Sequence, residues 1–230
     1  MAIPYVIFTD LNTNVQYNSY STYGLILSNQ DIGFPALRKD SLEIPGSHGV
    51  LDLTEIFGKV YYKNRTITLT FNVVINPFAW DELRTRIAGD LHGKRLRIKI
   101  WSDPEYVYVG RCEIDKYQSS KGLGTIVIKC DCEPFKEQIM DSSDYEFFTV
   151  TPTQPWEKTF EITNIFSNIS ILHPTGTGEN PFSVTLNQST TFNIGEGMMY
   201  SQVLYSGTYT IKITSETEQR LAFGNQRIAI

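Results

Sequence analysis

Between residues 65 and 75 the chain alternates strictly: Ile67, Leu69, Phe71, Val73 and Ile75 interleave with Thr66, Thr68, Thr70, Asn72 and Val74. Period two predicts a strand with one buried face. Immediately after it the period changes. Asn76 is a capping residue, Pro77 suits a first helical position, and Asp81 and Glu82 sit where the positive end of the helix dipole favours carboxylates. Trp80, Leu83, Ile87 and Leu91 then recur at spacings of three and four, and Gly93 offers a left-handed stop. The pattern predicts a helix over about 77–92, packed on the sheet.

Alternation resumes at residues 94–101, where Leu96, Ile98 and Ile100 share one face and Arg95, Arg97 and Lys99 the other. Residues 105–117 and 125–132 read as two more strands, separated by the turn Lys121-Gly122-Leu123-Gly124. Upstream, residues 3–8, 23–28 and 34–43 read as shorter strands. Residues 44–63 have another character: Pro45-Gly46 and Ser47-His48-Gly49 are loop residues, followed by Val50, Leu51, Leu53, Ile56 and Phe57. A loop this long inside a compact domain is usually functional. Its apolar side chains cover either their own core or a neighbouring subunit.

The pattern lapses between Glu133 and Asp144, which places a domain boundary near residue 139. Beyond it come short runs at 145–151, 158–164, 169–173, 182–187, 190–194, 199–205, 208–214 and 227–230, with turn signals about every ten residues. Such spacing predicts a β-sandwich.

At 230 residues the chain has room for two small domains. Its 13 Tyr, 13 Phe and 3 Trp favour pleated surfaces over helices. Hydrophobic residues at 41% and charged residues at 20% predict a folded, soluble protein. No apolar run reaches the roughly 20 residues that span a bilayer, and no basic leader opens the chain, so it is expected to be made and folded in a cytoplasm. Three cysteines, Cys112, Cys130 and Cys132, are an odd number and read as reduced thiols, with Cys130 and Cys132 on the apolar face of their strand.

The net charge of −5 is unevenly placed: residues 1–139 balance 16 basic against 16 acidic, whereas residues 140–230 hold 4 against 9. An acidic chain argues against tight nucleic-acid binding. The basic face of Lys94, Arg95, Arg97 and Lys99 reads as a solvated or salt-bridged strand face. His48, His92 and His173 stand beside no nucleophile motif, and G-x-S-x-G, H-E-x-x-H and the phosphate-binding glycine motifs are absent. Gly176-Thr177-Gly178 reads as a loop tip. No catalytic, cofactor-binding or metal-ligating set stands out. Trp156 and Tyr145 could stack on a sugar, but aromatics buried in a sandwich are the commoner case.

Several pieces in order carry a resemblance. Gly49-Val50-Leu51-Asp52-Leu53-Thr54-Glu55 is followed by Tyr61-Tyr62, Arg65 and the alternating strand, then by the helix. Lys94-Arg95-Leu96-Arg97-Ile98 and Tyr106-Val107-Tyr108-Val109-Gly110-Arg111 come next, and Cys132-Glu133-Pro134-Phe135 closes the run. Over residues 1 to about 136 the chain resembles the distal tail protein (Dit) family of siphophages.

The resemblance implies a mainly β protein. A ring-forming domain over 1–139, β-barrel or sandwich-like with one helix, would carry a belt arm over about 41–65. A galectin-like β-sandwich over 140–230 would follow. It implies no enzyme and no cofactor. It further implies a homo-hexameric ring in the virion at the tail tip, joining the tail tube protein to the tail-associated lysin or fibre hub, with receptor-binding proteins as further partners and neither sequence-specific nucleic acid nor membrane. The arm residues it assigns to the neighbour are His48, Leu51, Leu53, Ile56, Phe57 and Tyr61. Two other classes stay open: a galectin-like carbohydrate-binding module and a wall hydrolase.

Overall fold

A computed structural model describes residues 3–46, 48–56, 60–74, 79–120, 123–174 and 180–230, and the fold is mainly β. The chain divides into two units, Met1–Lys136 together with Ile230, and Glu137–Ala229. In the first lie β1 (Val6–Asp10), β2 (Gln16–Asn18), α1 (Ser19–Tyr23), β3 (Ile26–Ile32), β4 (Ser41–Glu43), β5 (Val50–Asp52), β6 (Arg65–Val74), α2 (Trp80–Leu91), β7 (Arg95–Ile100), β8 (Tyr106–Ser120) and β9 (Leu123–Cys132). β10 (Lys136–Gln138) follows at the boundary.

Seven strands of the first unit pair antiparallel in the order β2-β1-β7-β8-β9-β6-β3. The alternating run from residue 65 lies at its heart, with Ile67, Leu69 and Phe71 fully buried. Each such side chain removed from water contributes about 1.5–3 kcal/mol. α2 lays Trp80, Ile87 and Leu91 on the same core, as their spacing predicts. Its N-cap is Ala79, which makes no side-chain capping bond; Pro77 and Asn76 lie outside the described residues. Trp80 sits over Gly124, where an added Cβ would meet the indole at 2.1 Å, and stacks on Tyr117 with ring centroids 4.6 Å apart.

The strand predicted over 23–28 begins only at Ile26, as β3, so its first three residues are corrected. Tyr23 ends α1, a single turn capped by the Asn18 side chain and closed by Gly24 in the left-handed region at φ 69°. Two capping residues with five residues between them make this helix; a turn so short has no apolar stripe to betray it. The Tyr23 hydroxyl donates to Asp90 Oδ2 at 2.9 Å, tying α1 to α2. Burial first, and that carboxylate second, push the phenol's pKa up.

The second unit contains β11 (Tyr145–Val150), β12 (Trp156–Leu172), β13 (Phe182–Leu186), β14 (Thr190–Ile194), β15 (Tyr200–Thr214) and β16 (Gln219–Ala229). Their order is β14-β13-β15-β12-β16-β11, all antiparallel. Val184 from β13 and Val150 from β11, near opposite ends of this order, share one core, so the sheet wraps around it.

Two pairs of predicted strands are each a single strand here. Runs 158–164 and 169–173 merge in β12, whose register with β15 shifts between Ile162 and Phe166. Runs 199–205 and 208–214 merge in β15, because Gly207, at φ 150°, bends within the ladder opposite Ile162 without ending it. β16 begins eight residues before the predicted 227. Leu221, Ala222, Phe223 and Gly224 are all buried, so this stretch shows no alternation to read.

Candidate docking arm

The chain leaves the sheet after β3 and returns to it at β6. The outgoing and returning limbs pair with each other. The Lys63 N–H donates to the Ala36 carbonyl at 2.8 Å, the Arg38 N–H to the Tyr61 carbonyl at 2.8 Å, and the Leu53 N–H to the Asp40 carbonyl at 2.8 Å. Leu37 and Tyr62 form an isolated bridge. Further out, β4 and β5 align Ser41 with Asp52, Leu42 with Leu51 and Glu43 with Val50. Residues 34–43 are thus not a strand of the body: only Ser41–Glu43 qualifies, and it belongs to the arm.

Alternation along this hairpin sorts its faces. Leu42 and Leu51 are directly opposed and point to one side, which Ile44 and Leu53 continue two residues further along. Ser41, Glu43, Val50 and Asp52 take the other side. In a body strand the apolar side would meet a core. Here Leu42 is 52% exposed, Leu51 48%, Ile56 63% and Tyr61 48%, while Leu53 is half-buried. A two-stranded hairpin on its own is marginal in water, and this one pairs its two limbs through the main chain while leaving apolar side chains bare.

Of the residues expected in the arm, Leu51 and Leu53 share the apolar side. Ile56 lies in the turn after them, its N–H donating to the Leu53 carbonyl at 3.0 Å. Tyr61 is near the root, and His48 is exposed at the tip between Gly46 (φ 83°) and Gly49 (φ 88°). Phe57 lies outside the described residues. Leu42 and Ile44 fall within the arm expected over about 41–65 but are not among the residues singled out there, and Leu42 also lies in the run 34–43 that reads as a strand. The turn after β5 is set by Asp52, whose carboxylate accepts from the Thr54 N–H and hydroxyl. These bonds hold the carboxyl below its ordinary pKa.

The root is pinned by Arg65, which is 3% exposed. Its Nε donates to the Pro134 carbonyl at 2.8 Å, Nη2 donates to the same oxygen, and the guanidinium lies 5.5 Å from the Tyr108 ring centroid. Burial lowers its pKa. Tyr62 adds an edge-on contact with Phe135, centroids 5.5 Å apart.

The other candidates fare differently. Arg95 pairs with Glu133, and Lys129 with Asp115 at 3.1 Å, so this sheet face is partly salt-bridged. His92 Nδ1 accepts from the Ile114 N–H at 3.1 Å. The His173 ring meets Phe182 edge-on. Trp156 stacks on Phe148 at 4.0 Å and packs beside Phe223, so its ring serves the second unit's core. The Tyr145 ring occupies the space beside Gly224 where a Cβ would stand. Gly176-Thr177-Gly178 lies outside the described residues. Among the described residues no group of three His, Cys, Asp or Glu could hold a metal ion, and no helix is long and apolar enough to cross a membrane.

No family model matches the chain, and no curated protein matches it. Thirteen solved chains do. One is the crystal structure of the Dit protein (gp 19.1) of SPP1, described as a paradigm of the hub adsorption apparatus in phages that infect Gram-positive bacteria. It superposes with a TM-score of 0.57 at 10% identity, over 96% of this chain and 99% of that one. This chain has the Dit fold. The Dit likeness spans both units, beyond the first 136 residues in which the sequence motifs lie. The core of Drosophila NLP, whose structure gave insight into pentamer formation and histone binding, aligns with 36% of this chain and 97% of its own at 14% identity; its TM-score of 0.26 carries no argument beside Dit.

Proposed function

We propose that this protein is a structural component of a phage tail adsorption apparatus: a connector ring of six copies closed through the first unit, each copy's arm covering its apolar side on a neighbour. The ring joins the tail tube above to a tail-associated lysin or fibre hub below. The second unit, a galectin-like sandwich, projects as the attachment point for receptor-binding proteins. In this reading the virion is the protein's working location, and the work is geometric, without cofactor or catalysis.

The observation that carries the reading is the likeness to a phage hub protein along nearly the whole chain. The arm supplies the physical means. Fold alone does not fix function, but a heterologous contact repeated around an axis closes a ring, and a self-paired hairpin with Leu42, Leu51 and Ile56 bare is such a contact waiting for its other half.

The test is solution mass, measured on the full chain alone and with its tube and hub neighbours. A closed ring weighs about 157 kDa, six times the 26.2 kDa chain. Leu51→Asp combined with Leu53→Asp is expected to leave a folded monomer that no longer assembles. Assembly unchanged by both charges would remove the arm from the interface. A chain that stays monomeric in the presence of both neighbours would overturn the ring.

A further inference from the structure

Cys112 on β8 and Cys130 on β9 are direct Cα partners in the antiparallel ladder. The main-chain groups of Cys112 both turn toward the preceding segment: its N–H donates to the Lys94 carbonyl at 3.0 Å and its carbonyl accepts from the Gly93 N–H at 2.8 Å. Cys112 and Cys130 therefore form a non-hydrogen-bonded pair, the closer of the two kinds. In such pairs the Cα atoms are about 4.5 Å apart and the side chains approach each other. That spacing falls within the range a disulfide spans. The two Sγ atoms are 2.7 Å apart, and both residues are fully buried.

The third thiol is placed differently. Cys132 lies on the same side of β9, but its partner across the ladder is Gly110, and a Cβ added there would stand 2.6 Å from Cys132 Sγ. Cys132 thus fills the space that a missing side chain leaves, and it faces a glycine where Cys130 faces a thiol.

We infer that Cys112 and Cys130 are a latent disulfide site, which closes across β8 and β9 once the protein meets a disulfide oxidant such as oxidised glutathione, leaving Cys132 as the free thiol. In the first step the thiolate of one cysteine attacks a sulfur of the oxidant, forming a mixed disulfide and expelling one glutathione thiolate. In the second, the other cysteine's thiolate attacks the protein sulfur of that mixed disulfide, closing the Cys112–Cys130 bond and expelling the second glutathione. Two electrons pass to the oxidant, and the two thiol protons leave with the two reduced glutathiones.

Rate and outcome separate here. The hydrogen bond with Cys112, then burial, hold the Cys130 thiol well above its ordinary pKa, and burial pushes Cys132 up to about 12. Thiolate is therefore scarce, and the oxidant reaches it only when the β8–β9 ladder opens locally. The bridge forms slowly but selectively.

The full-length chain is held folded in oxidised glutathione until its thiol content stops changing, then unfolded, alkylated and digested with trypsin. Cleavage after Arg111, Lys116, Lys129 and Lys136 puts Cys112 in one peptide and Cys130 with Cys132 in another. The expected result is a linked pair of these peptides, with an intact mass lower by about 2 Da and one alkylated cysteine. Fragmentation is expected to place the link at Cys130, and Cys132→Ser to keep it. Three alkylated thiols, glutathione adducts without a link, or a link through Cys132 would each overturn the assignment. The wild-type fragmentation decides the question even if the Cys132→Ser chain fails to fold.

Discussion

β6 and the β4–β5 hairpin are written in the same alphabet, alternating apolar and polar positions, yet they end in opposite environments. In β6, Ile67, Leu69 and Phe71 are fully buried, because β3 and β9 flank the strand and its apolar face joins the core to which α2 adds Trp80, Ile87 and Leu91. In the hairpin, Leu42 and Leu51 form an equally regular pair and stay half exposed, since among the described residues no third strand pairs with β4 or β5. Alternation specifies which side is apolar; it does not specify what lies against it. The difference between a buried face and a bare one is held by the neighbours of the strand.

The sharpest way to break this comparison is to truncate one apolar residue on each side of it. Phe71→Ala is expected to destabilise the first unit by about 3–5 kcal/mol, as large-to-small changes at buried aromatic sites do. Leu51→Ala in the isolated chain is expected to stay within about 0.5 kcal/mol. Urea unfolding of both variants checks this, and a comparable loss at Leu51 would mean that the arm has cover within its own subunit.

A smaller effect is expected where the helix meets the sheet. Gly124→Ala forces Trp80 to shift and is expected to cost about 1–3 kcal/mol, read as a lower urea midpoint with altered Trp fluorescence. An unchanged midpoint would show that the indole has room to yield.

At the arm's root, Arg65→Met keeps the apolar stem and strips the Pro134 carbonyl of its donors. A loss of about 1–3 kcal/mol is expected for the unsatisfied group. Faster amide exchange at Tyr62 and Lys63 would accompany it if Arg65 fixes the limb, and unaltered exchange would confine its role to the core.

The smallest effect concerns Asp52, whose carboxyl is held below the ordinary 3.8 by the Thr54 hydroxyl and N–H. A lowered pKa contributes stability that is present above the ordinary value and lost as pH falls through the lowered one. The Thr54 amide resonance is expected to move only below pH 3.8, and Asp52→Asn to abolish the transition. A transition centred at the ordinary value would mean that the turn's bonds are not made in solution.

Much of the architecture was legible from the chain. The period-two run from residue 65 marks β6, the spacing of Trp80, Leu83, Ile87 and Leu91 marks α2, and 190–194 marks β14. What escaped did so for physical reasons. α1 is made by its caps, β16 hides because four consecutive residues are buried, and Gly207 punctuates a strand that its neighbours hold continuous. The arm was legible as a sticky segment from about residue 41, but the part of its outgoing limb before that residue was not. Leu42 looks like any residue of a half-buried strand until the register shows it opposite Leu51. The pairing of Cys112 with Cys130 was equally out of reach, since 18 residues separate them and only the β8–β9 register makes them adjacent.

The continuity between the arm and β6 has a mechanical side. The returning limb runs straight into a strand whose ten residues are laddered to β9 from Arg65 opposite Cys132 to Val74 opposite Leu123. Tension that follows the chain inward from the hairpin would load this ladder in shear, where all its rungs resist together, instead of peeling them apart singly. A subunit tugged by its neighbour would therefore yield last at the seam through which the pull arrives.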